Sequence, residues 1–219
     1  MLAAALYLVL AYGVASLWES VFHRHVLHAS RPMRWRWRRL GWPGQLLRLA
    51  HFFHHGIHHR HTFRRSLVVQ FDAPRQQQRL DTRLRGAIGR RARADRYGLT
   101  VTGPRELLAF TGLPLLVNTG LAVAVSPWLL PAGVALAVAP FLLSRYVHPW
   151  LHRPPGGAGR LRRSAAFRFL QRYHLTHHRL EGWNYNLLPG ADFLLGRWHR
   201  RVRDAHRSLT RASVNRRCR

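Results

Sequence analysis

Residues 51–61 read HFFHHGIHHRH, and six of these eleven residues are histidines. Three shorter motifs accompany this stretch: HRHVLH at His23–His28, HPWLH at His148–His152 and HLTHH at His174–His178. Neutral imidazole is a good metal ligand, so four histidine-rich motifs in one chain indicate a site that they build together. The fold is therefore expected to bring the four motifs to one place.

Three apolar runs give the fold class, namely Met1–Trp18, Leu107–Val125 and Trp128–Ser144. A helix of about 18 residues reaches about 27 Å, close to the hydrocarbon thickness of a bilayer. A signal peptide is the alternative for the first run, but no arginine precedes it and no clear cleavage site follows it. The sequence predicts an all-α integral membrane protein with about three transmembrane helices and a cytoplasmic helical cap that carries the histidines. It also predicts one domain over residues 1–219, with its core at about 19–198.

The charge of the chain points to a membrane surface. All 36 basic residues are arginine, and with 8 acidic residues the formal net charge is +28. Such an excess is typical of partners that are nucleic acids or anionic membranes. The stretch RPMRWRWRR at Arg31–Arg39 directly follows an apolar run, which favours a headgroup-level belt of indoles and guanidiniums over a nucleic-acid patch. We therefore expect no nucleic-acid partner.

Flanking charges predict the topology. The connector Ser126-Pro127 is uncharged, whereas Arg105 and Arg145 stand at the far ends of the two spans that it joins. The positive-inside rule then places the connector outside and all histidine motifs on the cytoplasmic side. The arginine usage is typical of a GC-rich bacterial genome, which predicts a bacterial inner membrane. Arg79–Arg96 is expected to form a surface helix without chemistry.

Helical spacing selects candidate ligands within the longest motif. We expect Leu46–His61 to form one helix, on which His51, His55 and His59 follow at i, i+4 and i+8, with His58 beside them. His54 is then expected on another face and His61 beyond the stripe.

The other motifs have simpler spacings. His148 and His152 stand at i, i+4, and the motif at 174–178 places its histidines at i, i+3 and i+4. His23 and His28 are five residues apart and diverge by about 140° on an ideal helix, so they must converge on a site beside it.

The number of histidines indicates two metal ions. One ion takes about four to six ligands, and about ten clustered histidines suit two ions better. The lone cysteine, Cys218, cannot supply a cysteine-based site. The chain also lacks the Glu-x-x-His pairs of ferritin-like carboxylate centres. Catalytic zinc ordinarily has three protein ligands and an open position, so a redox-active pair accounts for the ligand number better.

In order and spacing, the four motifs resemble those of the fatty acid hydroxylase/sterol desaturase superfamily of integral membrane proteins. The matching patterns are H-x4-H, H-x2-HH, H-x3-H and H-x2-HH, an arrangement similar to the fatty acid 2-hydroxylase branch in particular. The stretch NYNLLPGADFLL at Asn184–Leu195 is similar to the segment that follows the last motif in many members. The resemblance extends from about Glu19 to Trp198.

The resemblance implies an oxidoreductase that hydroxylates or desaturates a fatty acyl or other lipid in lipid biosynthesis. It implies two iron ions, with zinc possible in the purified protein, and dioxygen as co-substrate. A membrane lipid would be the substrate, and electrons would come in trans from a cytochrome b5-like protein or a ferredoxin with its reductase. No catalytic residue separate from the metal ligands is implied. The implied ligands are His23, His28, His55, His58, His59, His148, His152, His174, His177 and His178.

Three further residues are candidate supports of the ligands, namely His51, Glu19 and Asp192. The chain departs from the family pattern in having three apolar runs, where members commonly have four, and in having no cytochrome b5-like domain. The alternative is a histidine-rich membrane metal-binding or transport protein without oxygenase activity. Transport sites usually lie at the bilayer midplane, however, and these apolar runs contain no histidine or acid in their interiors.

Overall fold

The computed structural model describes residues 1–94, 97, 104–153 and 159–199, and all regular elements in these ranges are helical. Three of the helices are π-helices, each next to a histidine motif. The α-helices are α1 (Leu2–Phe22), α2 (Arg31–Trp37), α3 (Gly41–His51), α4 (Pro74–Arg83), α5 (Gly86–Ala94), α6 (Pro104–Val125), α7 (Leu130–Leu142), α8 (His148–Leu151), α9 (Ala165–Arg179) and α10 (Gly190–Leu194). The π-helices are π1 (His23–Leu27), π2 (Phe52–His59) and π3 (Leu143–Val147), and short 3-10 turns cover Pro127–Leu129 and Gly159–Arg163.

Three continuous helical segments are long and apolar enough to cross a membrane. They are Leu2–Leu27, Leu107–Val125 and Pro127–Leu151. Large apolar side chains such as Leu116 and Trp128 point away from the protein on these segments. An apolar outer surface suits helices surrounded by lipid, because lipid tails solvate it without cost. The prediction of an all-α fold with three helices able to span a membrane is confirmed for the described residues.

Polar contacts hold the three spans together. The Tyr7 hydroxyl donates to the Asn118 carbonyl at 3.1 Å, and the Trp18 indole donates to the Phe110 carbonyl at 2.6 Å. The Asn118 amide in turn donates to the Ala11 carbonyl at 3.2 Å. Buried side-chain hydrogen bonds of this kind link helices in lipid, where water cannot replace them. These contacts show that α1 is antiparallel to α6. Because the third span follows α6 after a short connector and returns in the opposite direction, its end lies beside the end of the first span.

The π-helices change which residues share a helical face. The amide of His28 donates to the His23 carbonyl at 2.9 Å, a bond that spans five residues instead of the four of an α-helix. The rings of these two histidines consequently stack, with centroids 5.2 Å apart. The divergence expected of an ideal helix is thereby removed, and the two histidines converge on one site.

The loop after α9 ties the histidine-bearing helices to the first span. The buried Glu19 carboxylate accepts hydrogen bonds from the amides of Leu187 at 2.7 Å and Leu188 at 2.9 Å. The buried Asp192 carboxylate accepts from the Tyr173 hydroxyl at 2.6 Å and from the Asn186 amide at 2.8 Å. These two acids therefore position the α9 end and the following loop.

Several predicted boundaries differ from the observed ones. The first span extends beyond Trp18 through π1, so the His23 motif continues the membrane helix directly. The predicted single helix Leu46–His61 is instead α3 followed by π2. The predicted surface helix Arg79–Arg96 falls in two helices, α4 and α5, and Gly86, the first residue of α5, has a positive φ; positions 95 and 96 lie outside the described residues.

Candidate metal centre

Two clusters of imidazoles lie side by side at the end of the spans where α1 and α7 finish. We call them the hairpin cluster, which contains His58, His148, His152, His174 and His178, and the N-terminal cluster, which contains His23, His28, His54 and His177. His59 lies between the two clusters, in contact with His54 of the N-terminal cluster and His178 of the hairpin cluster. In both clusters the Nε2 atoms point inward. All four sequence motifs contribute, as the sequence predicts.

The hairpin cluster is organised around His174. Its Nε2 lies 2.9 Å from the Nε2 of His148, 3.0 Å from that of His152 and 3.1 Å from that of His178. The Nε2 of His58 lies 3.0 Å from that of His178. These histidines come from π2, α8 and α9, so three separate elements close the cluster.

The N-terminal cluster is organised around His54. Its Nε2 lies 2.9 Å from the Nε2 of His23, 3.1 Å from that of His28 and 3.2 Å from that of His59. The Nε2 of His177 lies 3.0 Å from that of His28. The two clusters adjoin each other, because the rings of His59 and His178 stack with centroids 4.2 Å apart.

A shared cation accounts for this packing better than hydrogen bonds among the rings. A neutral imidazole carries one N–H, so His174 could donate to only one of the three nitrogens around its Nε2. His152 uses its N–H elsewhere, because its Nδ1 lies 2.8 Å from the Leu67 carbonyl oxygen. Several nitrogen lone pairs must then face one another, and a metal ion between them would turn this repulsion into attraction.

The nitrogen separations also fit metal ligation. Two nitrogens bound at about 2.1 Å and at right angles to each other lie about 3.0 Å apart, and about 3.4 Å apart in a tetrahedron. The observed separations of 2.9–3.2 Å lie close to these values. Each cluster can therefore hold a metal ion.

Backbone carbonyls fix the tautomer of several rings. The Nδ1 of His177 donates to the Trp183 carbonyl at 2.8 Å, and that of His152 to the Leu67 carbonyl. A hydrogen bond at Nδ1 leaves the lone pair on Nε2, which is the nitrogen that faces the cluster. The loop after α9 thus orients His177 as well as closing the fold.

The residues predicted as supports lie next to the clusters. His51 donates from Nδ1 to the Leu27 carbonyl at 2.9 Å, accepts from the Arg34 guanidinium at 2.6 Å and stacks on His55. Among the described residues, Glu19 accepts hydrogen bonds from the loop backbone and none from a histidine. Asp192 binds the Tyr173 hydroxyl, immediately before His174 in the chain.

One expectation about the longest motif is wrong. His54 lies at the centre of the N-terminal cluster, not on another face, because π2 turns the helix more slowly than the α-helix on which the expectation rested. His55, an implied ligand, lies at the edge of this cluster, where it forms a third group with His28 and Glu181 that could hold a metal ion. Its Nδ1 has no hydrogen-bond partner among the described residues and is 3.8 Å from a Glu181 carboxylate oxygen. His61 lies in neither cluster, as expected.

Sequence reasoning did not single out Glu181, which lies at the open edge of the N-terminal cluster. Its carboxylate oxygens are 3.9 Å from the Nδ1 of His28 and 4.0 Å from that of His59. These distances exceed a hydrogen bond, and Glu181 could instead share a metal ion with His28 and His55. The sequence signal was its position three residues after the last histidine motif.

Burial keeps the clustered imidazoles neutral. Desolvation lowers the pKa of His28 to about 2 and the pKa values of His152 and His177 to about 4. It also holds the pKa values of His54, His58 and His174 well below their usual range, with neighbouring imidazoles adding to the effect. Only the neutral ring binds metal, so the sites are ready for metal at neutral pH.

We expect the metal-free protein to lose stability as pH falls from about 6.5 to about 4. An exposed imidazole in the unfolded chain takes up a proton near pH 6.5, whereas folded His152 and His177 do so only near pH 4. Protons therefore bind the unfolded chain preferentially in this interval, and acid favours unfolding. Denaturant titrations in detergent, followed by tryptophan fluorescence across the interval, measure the effect. An unfolding midpoint that does not change with pH would contradict it.

Comparison of the chain with models of protein families, with curated proteins and with solved structures gives no match. The family resemblance therefore rests on the order and spacing of the motifs alone.

Proposed function

We propose that this chain is a membrane di-metal oxygenase of the fatty acid hydroxylase/sterol desaturase type, which oxidises a C–H bond of a lipid with dioxygen. One observation carries the proposal: two adjoining clusters, with five and four inward-facing imidazole nitrogens, lie at the end of three apolar helices. An ordinary structural histidine does not need such neighbours. Two ions so close together can act on one small molecule.

Iron is the metal that we propose for both clusters. The two clusters offer five and four imidazole nitrogens, and imidazole is a good ligand for iron. Zinc in proteins favours four ligands, so the five donors of the hairpin cluster suit it less well, although zinc could occupy the same nitrogens. When bound, the iron pair would supply the redox chemistry that activates dioxygen, while the protein holds the ligands and shapes the cavity.

A small cavity between the clusters supports oxygen chemistry. Its volume is about 30 Å³, and histidines of both clusters line it, namely His23, His54, His148 and His174. About 10–15 Å³ suffices for one water molecule, so a diatomic molecule fits. The rest of the lining is mostly apolar, with Phe22, Leu27, Phe110 and Leu187 beside the polar Glu19 and Ser144.

The apolar lining has two roles in the proposed reaction. Phe22 and Phe110 meet edge to face, with centroids 4.7 Å apart, where α1 and α6 approach each other. A lipid chain that enters from the bilayer would reach the cavity between these helices. Leu187 is held in place through the Glu19 carboxylate, and together the apolar side chains keep bulk water from the site.

The proposed cellular location rests on the charges that flank the spans, and the proposed electron donor rests on the family resemblance. The positive-inside rule places the clusters on the cytoplasmic side of a bacterial inner membrane, where electrons could arrive in trans from a cytochrome b5-like protein or a ferredoxin. Hydroxylation and desaturation begin with the same hydrogen abstraction, and either product is consistent with the cavity.

Metal analysis and lipid analysis together test the proposal. We expect the full chain, purified in detergent without added metal, to contain about two ions per chain by elemental analysis. Cells that express it under isotopically labelled dioxygen should contain a lipid with one labelled oxygen added, or one with two hydrogens removed. The matched control is a chain with His174→Ala, which should give neither product.

Three contrary results would each contradict a different part of the proposed function. Two ions with no altered lipid, even after iron loading and addition of a reductase system, would favour a metal-binding membrane protein without oxygenase activity. An added oxygen that came from water instead of dioxygen would exclude an oxygenase. Absence of bound metal would contradict the assignment of both clusters.

A further inference from the structure

A second cavity lies on the outer side of the α2–α3 pair, apart from the histidine clusters. Its volume is about 780 Å³, within the range of cavities that bind small molecules. Four arginines line it, Arg31, Arg34 and Arg38 from α2 and its end and Arg48 from α3. The first three follow at i, i+3 and i+7, so they share one helical face.

The charge of this cavity is unbalanced. Its other lining residues are Trp35, Gln45, Leu49, His51, Phe52 and Ile88, none of which is acidic. Guanidiniums stay protonated in proteins, so the four positive charges repel one another across the cavity. An anion with several acceptor oxygens would relieve this repulsion through charge-assisted hydrogen bonds, and phosphate matches the planar fork of arginine.

The surroundings point to a ligand at the membrane surface. Trp35 lines the cavity with about half of its side-chain surface exposed, and Leu40 and Trp42 are exposed nearby. The Arg39 guanidinium stacks 4.0 Å from the centroid of the Trp35 ring, which fixes the ring at the cavity wall. Indoles and arginines side by side are typical of the headgroup level of a bilayer.

We propose that this cavity binds the phosphate of an anionic lipid headgroup. The guanidiniums of Arg31, Arg34, Arg38 and Arg48 donate hydrogen bonds to the phosphate oxygens. The Trp35 ring covers the adjoining glycerol region. Arg34 also donates to His51, so the bound headgroup lies one side chain from the residue that stacks on His55. The site follows from the arginines alone and stands whether or not the histidine clusters carry out oxygen chemistry.

Titration calorimetry on the full chain in detergent tests this site. The probe is a short-chain phosphatidic acid, compared with phosphatidylcholine of equal chain length, whose choline cation offsets the phosphate charge. We expect Arg38→Gln together with Arg48→Gln to weaken phosphatidic acid binding about a hundredfold, about tenfold for each lost charged hydrogen bond. The matched control is Arg75→Gln together with Arg79→Gln, two exposed arginines of α4 that should bind as the wild type does.

Further measurements distinguish a lipid headgroup from a soluble phosphate compound as the ligand. Gln45→Glu places a carboxylate in the cavity and should also weaken binding, which gives a second test if the double variant fails to accumulate. Inorganic phosphate that binds as tightly as phosphatidic acid would assign the site to a soluble phosphate compound and overturn the lipid proposal, whereas much tighter binding of phosphatidic acid would assign it to lipid. Equal binding of phosphatidic acid by the cavity variant and the control variant would overturn the proposal. Metal content should remain that of the wild type in every variant, which keeps this test independent of the histidine clusters.

Discussion

Replacement of His174 by alanine is expected to lower the metal content from two ions to about one per chain and to abolish lipid oxidation. The Nε2 of His174 is within 3.1 Å of three other Nε2 atoms, more than any other nitrogen in the hairpin cluster. Its loss leaves four donors around an enlarged space, which weakens binding in this cluster, whereas the N-terminal cluster keeps all its donors. Activity should disappear completely because the proposed chemistry needs both ions.

The control for this experiment is His25→Ala. His25 is exposed in π1 and belongs to neither cluster, although it lies within a histidine motif. Elemental analysis and lipid analysis of both variants, purified in the same detergent, separate a specific loss from a general effect of removing an imidazole. Full occupancy by two ions in the His174→Ala chain would show that this histidine is not a ligand.

The membrane part of the fold was accessible from sequence because it depends on length and composition. A helix in lipid must be apolar over about 20 residues whatever its neighbours are, so the runs ending at Trp18 and Val125 could be identified without tertiary information. The convergence of the histidine motifs was also predictable, since only a shared site explains four of them. The span boundaries were less accurate, because π1 and π3 continue the helices beyond the apolar runs.

The arrangement within the site could not be obtained from α-helical spacing. At about 100° per residue, His54 and His59 lie on different faces of an α-helix, and only the five-residue bonding of π2 brings their nitrogens within 3.2 Å. The signal was present in the sequence, because this pair has the same spacing as His23 and His28. The five-residue spacing of the earlier pair therefore also predicts that His54 and His59 converge.

The roles of the acidic residues depend on contacts that no local pattern encodes. Glu19 and Leu187 are 168 positions apart, yet the Glu19 carboxylate accepts the Leu187 amide at 2.7 Å. The sequence placed Glu19 and Asp192 near the histidines, and the structure shows that they secure the loop that orients His177. The role of these acids in positioning the loop can be recognised only from the three-dimensional structure.

The two neighbours His54 and His55 provide the sharpest test of the ligand set. We expect His54→Ala to lower the metal content by about one ion per chain and to abolish lipid oxidation, because its Nε2 is the centre of the N-terminal cluster. His55→Ala should retain both ions and much of the activity, since that ring lies at the edge, stacked on His51 and facing Glu181. Each variant is the matched control of the other.

The opposite result would be equally informative. The family resemblance assigns the ligand role to His55 through the pattern H-x2-HH, whereas the π-helical turn assigns it to His54. If His55→Ala removed one ion and His54→Ala did not, the segment Phe52–His59 would have to turn as an α-helix when metal is bound. If both variants lost one ion, each histidine would be needed for metal binding. The His55 side chain would then have to move from the edge into the cluster when metal binds. Because the two residues are adjacent and chemically identical, a difference between them can come only from the direction in which the helix points each ring.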